Sequence, residues 1–89
     1  MKLTRANDGK HKWVAEFKDG THTRFGAVGM DDYTIKHDAE QKARYLARHR
    51  STENWNNPKS AGALSRWILW NLPTIEASLR DYKKRFPNV

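Results

Sequence analysis

The segment from Asn57 to Thr74 constrains the fold most. Leu64, Trp67, Ile68, Leu69 and Trp70 spread apolar side chains around most of one helix. A helix apolar nearly all round is buried centrally, between other elements. Asn57 followed by Pro58 reads as an N-cap with proline at the first helical position, where its missing N–H costs nothing. Pro73 stops the helix. The remaining elements of this 89-residue chain must supply what covers it, and a chain of this length is one domain, 1–89.

Two elements answer that need. Trp13, Ala15 and Phe17 alternate with Val14, Glu16 and Lys18, the period-two pattern of a half-buried strand. Asp19-Gly20 is a tight-turn dipeptide, expected in a primed turn with positive φ at both central residues, and Thr21 to Phe25 returns as the partner. Asn7-Asp8-Gly9 predicts an earlier turn, so Lys2 to Ala6 forms a third strand, while Gly26 and Gly29 close the sheet. After the central helix, Thr74 caps a last helix whose Ile75, Leu79, Tyr82 and Phe86 make a stripe at i, i+4, i+7 and i+11.

Asp31-Asp32-Tyr33-Thr34 leads into a first helix, with Asp38 as N-cap and Glu40 in its first turn; Thr34 offers an earlier start. Ala39, Ala43 and Leu46 share one face, Arg44 and Arg48 with Gln41 the opposite one, and Tyr45 and His49 line a flank. Trp55 is expected to plug a polar loop against the core. The fold class is therefore α+β: an N-terminal three-stranded antiparallel sheet over about 2–28, then three helices over about 38–50, 58–71 and 74–86.

Charge narrows the partners. Net charge is +7, and it is uneven. Residues 1–33 hold six Lys/Arg against five Asp/Glu, whereas residues 34–89 hold eleven against five. Such an excess is placed for an anionic partner, or serves solubility alone. Lys42, Arg44, Arg48 and Arg50 can line up along a phosphate backbone; Arg80, Lys83, Lys84 and Arg85 form a second cluster; Lys12 and Arg24 on the sheet can add contacts. For each residue alone, a solvated face is the simpler account.

Other chemistry has thinner support. No cysteine is present, which excludes disulfides, thiolate metal sites and cysteine nucleophiles. His11, His22, His37 and His49 show no pair at metal-ligand spacing, so neither metal nor cofactor is expected. A metal-dependent nuclease would need Asp31, Asp32, Asp38, Glu53 and His49 to converge. Asp31-Asp32 fits turn and cap chemistry equally well. No phosphate-binding glycine loop or nucleophile elbow is present. There is no membrane-length apolar run and no signal-peptide pattern, so membrane and secreted locations are not expected.

Two resemblances add to this reading. Lys12-Trp13-Val14-Ala15-Glu16-Phe17 and Arg24-Phe25-Gly26, followed by an alanine-bearing helix, resemble plant ethylene-response-factor-type DNA-binding domains over roughly residues 10–48. That family lays a three-stranded sheet in the major groove with a helix behind it, which implies a β-β-β-α topology here. Its arginine pattern on the first strands is not reproduced.

The second resemblance spans most of the chain. It rests on Phe25-Gly26-Ala27, Asp32-Tyr33-Thr34, Arg44-Tyr45 with Arg48-His49, Glu53-Asn54-Trp55, Ala61 through Asn71, and Asp81 through Phe86. In that order these blocks resemble a family of small basic proteins of unknown function from large double-stranded DNA viruses of algae and amoebae. The resemblance implies a viral origin, a virion or intracellular location and no catalytic residues. The function expected is thus non-enzymatic binding of nucleic acid, duplex DNA first, through phosphates and with little sequence preference. The alternatives are a structural virion protein that meets acidic neighbours and, third, the nuclease.

Overall fold

Alternating residues along the first third build an antiparallel meander in the order β1 (Lys2–Arg5), β2 (His11–Glu16) and β3 (His22–Ala27). The computed structural model describes all 89 residues. Register pairs Leu3 with Ala15, Trp13 with Phe25 and Ala15 with Thr23. Opposite residues in such a ladder share a face, so these form the inner one, on which Ala15, Phe17 and Phe25 are buried. The α+β class with an N-terminal sheet agrees with the expectation.

Both turns fall where expected, with one difference of form. Gly20 alone has positive φ, at 87°; Asp19 does not. Gly20 N–H donates to Phe17 O and Phe17 N–H to Thr21 O, the three-residue hairpin in which a left-handed glycine follows the turn. Asp19 instead accepts from the Thr21 N–H and hydroxyl, and from Lys59 across the fold.

Between sheet and first long helix lies an element the sequence reading did not separate, α1 (Tyr33–Lys36). Asp32 caps it, and His37 ends it in the left-handed region at φ 55°. Asp38 then caps α2 (Ala39–His49) through the Glu40 and Gln41 N–H groups, as expected. The inward face of α2 differs from the expected one. Ala39 and Ala43 are exposed, whereas Gln41, Tyr45 and His49 turn in. Tyr45 stacks on Trp70 with centroids 4.3 Å apart, and ring area outweighs what two methyl groups offer.

The central helix begins later than Asn57-Pro58 predicted. Ser60 caps α3 (Ala61–Leu64) through the Ala63 N–H, and Asn57 instead closes a turn with Lys59 and Ser60. From Ser65 to Leu69 the helix widens into a π-helical turn, marked by Trp70 N–H donating to Ser65 O. Ile68, Leu69, Trp70 and Asn71 are all buried, four successive positions that one face of a regular α-helix does not accommodate. Thr74 caps α4 (Ile75–Arg85), whose Tyr82 is fully buried and donates its hydroxyl to Pro58 O at 2.7 Å. Burial pushes that phenol up to about 12. Trp55 stays outside the core cluster and lies beside Arg66 instead.

Sheet and central helix meet at Gly26. A Cβ there would stand 3.0 Å from Leu69 Cδ1 and 3.3 Å from Lys12 Cβ, at φ +78°. Gly26→Ala should therefore destabilise the protein by about 1–3 kcal/mol, because strain and crowding act together. Thermal melting would show this, with Gly29→Ala, where nothing lies within 4 Å of the added carbon, as the milder comparison.

Candidate nucleic-acid interface

Ten basic residues were expected to carry the contacts, and the structure divides them. Lys12 is withdrawn: its ammonium donates to Met30 O and to Asp32 Oδ2 at 2.8 Å, with the side chain 13 % exposed. Lys42 is withdrawn as well, donating to Asn71 O at 2.6 Å above the Tyr33 ring. Arg24 stands 3.6 Å from Asp8 and Arg44 4.0 Å from Glu40, both exposed. Arg85 donates to Asp81 and lies over the Trp67 ring, 3.8 Å from its centroid. Arg48, Arg50, Arg80, Lys83 and Lys84 are exposed, and none has a carboxylate partner.

Beside the exposed cations, the half-buried Lys42 and Arg66 gather with the exposed Arg85. Arg66, from the π-helical turn, donates to Trp70 O at 3.0 Å and lies 4.1 Å from the Trp67 centroid, so Arg66 and Arg85 both pack on that indole. Lys42 reaches Asn71 O, Asn71 donates its amide to Asp81 Oδ2 at 2.7 Å, and Arg85 donates to the same oxygen at 2.9 Å. Arg85 alone pairs with the Asp81 carboxylate, while Lys42 and Arg66 are held by the backbone carbonyls of Asn71 and Trp70.

Electrostatics agrees with that crowding. Burial lowers the Lys42 pKa and the Arg66 charge lowers it further. Burial also lowers Arg66, with Arg85 acting the same way and Asp81 against it. Asp81 is held below its ordinary value of 3.8, first by the Arg85 hydrogen bond and also by Asn71. A depressed carboxyl stabilises the fold above its unfolded value and loses that contribution as pH falls through the folded one. Asp81→Asn should flatten the decline of stability below about pH 4, seen as denaturation midpoints against pH.

Arg66, Trp67, Asn71 and Asp81 were absent from the expected set. The signals lay in the sequence: one arginine inside an apolar helix, and an Asp81–Arg85 spacing of four on α4. The outer sheet face, Lys2, Thr4, Val14, Glu16, His22 and Arg24 by register, mixes both signs of charge. Of the carboxylates considered for a metal, Asp32 and Asp38 cap helices and Asp31 faces Lys36, while His49 Nδ1 meets Glu53 at 2.7 Å. No three histidines or carboxylates converge.

Fold and surface together define a small basic α+β module with an aromatic centre. Its chain belongs to DUF5754, a family of unknown function, whose model matches residues 1–49, the sheet through α2. No curated protein and no solved structure matches the chain. No helix is long and apolar enough to cross a membrane.

Proposed function

We propose that this protein binds nucleic acid through the phosphate backbone, duplex DNA first, with little sequence preference. The observation that carries the reading is the set of exposed cations without an acidic partner at the end of α2 and on α4, beside a network in which Lys42 meets Asn71, Arg66 and Arg85 share the Trp67 ring, and Arg85 alone pairs with Asp81. Arg48, Arg50, Arg80, Lys83 and Lys84 are the contacts. Lys42, Arg66 and Arg85 set the positive background beside them. The resemblance to small basic proteins of large DNA viruses supports an activity on a viral genome, in the virion or the infected cell.

A gel shift on blunt duplex of mixed sequences, titrated with salt, tests it. Retention at low salt, falling steeply as salt rises and indifferent to sequence, is the expected result; no retention at low salt ends the reading. A second reading, a virion component seated on a protein neighbour, draws on Val28, Met30 and Ile35, which are 55 %, 65 % and 55 % exposed. Co-sedimentation with capsid material that survives nuclease treatment is its distinguishing outcome.

A further inference from the structure

A cleft of about 420 Å³ opens between the Gly26–Asp32 segment, α2 and the π-helical turn. Its size matches the lower range of small-molecule sites. Three of its lining residues are aromatic rings in one stack. Tyr45 lies 4.3 Å from Trp70 at 8° and 4.2 Å from His49 at 24°. Two rings that close to one centroid cannot share a face, so Trp70 and His49 take opposite sides of Tyr45. Trp70 is buried, and His49 is the outer end of the stack, its side chain 38 % exposed. The Glu53 carboxylate lies 2.7 Å from the His49 Nδ1 and itself packs where a Cβ on Gly62 would be. The ring that ends the stack is flanked by that carboxylate.

The polar lining completes a recognisable chemistry. Arg48, next to His49, also lines the cleft and has no acidic partner. Of the two carboxylates there, Asp32 has both oxygens occupied, by Lys12 and by Thr34. Asp31 is exposed and 3.9 Å from Lys36. The Gln41 amide adds a donor and an acceptor on the α2 side. A stacked aromatic ring with a free guanidinium beside it takes a flat heterocycle and an attached anion: bases stack on such rings, and Arg grips phosphate in a planar fork.

We infer that this cleft binds a single nucleotide, its base stacked on His49 and its phosphate held by Arg48. The nucleotide is either free or the unpaired residue at the end of a strand. This goes beyond the phosphate-backbone reading and shares only Arg48 with it.

Proton NMR of the full chain titrated with AMP provides the test, with adenosine and inorganic phosphate as separate titrants. AMP should shift the His49 ring and Trp70 indole signals, and adenosine or phosphate alone should bind at least about tenfold more weakly. Arg48→Gln, an exposed change, should weaken AMP by about tenfold, while Arg80→Gln should leave it unchanged. A duplex with a short single-stranded overhang, competing with AMP more strongly than the blunt duplex that shares Arg48, identifies the strand end as the source. AMP binding without that competition identifies the free nucleotide. Absence of shifts at His49 and Trp70 at millimolar AMP overturns the inference, as does equal binding by Arg48→Gln or phosphate binding as well as AMP. None of these negative results touches blunt-duplex retention, which stands or falls on its own salt titration.

Discussion

Replacing Lys12 by methionine should cost about 3–5 kcal/mol, the usual consequence of leaving one partner of a buried ion pair alone. Asp32 is 2 % exposed, and Lys12 is the only cation paired with its Oδ2. Its other oxygen already accepts from the Thr34 N–H and hydroxyl. With the ammonium gone, the buried Asp32 carboxylate between β2 and α1 is left without its cation, which weakens the cap of α1. In a domain of this size that is a fall of more than about 10 °C in the melting temperature. Adding Asp32→Asn should recover at least half the loss, because asparagine caps about as well as aspartate and brings no charge to bury. A four-member cycle, wild type, each single and the double, checks it by denaturant unfolding. A single-mutant cost below about 1 kcal/mol would mean that the pair is solvated and its removal harmless.

That pair also shows where sequence reading ran out. Caps and stripes are local: Asp38 and Thr74 each bond N–H groups two or three residues on, and both were legible. So was the Ile75, Leu79, Tyr82, Phe86 stripe, all of which pack in or against the core. Asn57-Pro58 misled because two cap candidates stand three residues apart. Ser60 took the role while Pro58 O was engaged by Tyr82 from 24 positions away. The α2 face misled because counting apolar residues gives Ala39 and Ala43 the weight of Tyr45. Burial rewards area, so the ring turned inward.

The candidate site was legible as a quantity of charge and not as a surface. Lysines look alike in a sequence whether free or paired. Lys12 and Lys42 are removed from solvent by partners 18, 20 and 29 positions distant, which no local pattern reveals. Only the i,i+4 pairs, Arg44 with Glu40 and Arg85 with Asp81, could have been read in advance. The Trp70, Tyr45, His49 stack joins α2 to a residue beyond the next loop, and its only sequence trace is the spacing of Tyr45 and His49.

The division of the cations into free and held yields a second large effect, in binding. Changing Arg48, Arg50, Lys83 and Lys84 together to glutamine removes four of five proposed phosphate contacts. Each contact contributes about 0.9 to the slope of log affinity against log salt, so the slope should fall by about 3.6. Wild type with five contacts should lose roughly 500-fold in affinity between 50 and 200 mM salt, and the variant only about threefold to fourfold. Stability should move little, since these side chains are exposed and have no acidic partners. Lys42→Gln and Arg85→Gln should do the reverse: a lower melting temperature, from lost contacts to Asn71, Asp81 and Trp67, with a slope within about one unit of wild type. Fluorescence anisotropy on a labelled blunt duplex at four salt concentrations measures the slopes, and thermal melts of the same samples measure stability. If the quadruple variant keeps the wild-type slope, the phosphates are met elsewhere on the molecule. If Lys42→Gln flattens it as strongly, the separation into an outer binding layer and an inner supporting one is wrong, because Lys42 would then reach the DNA itself.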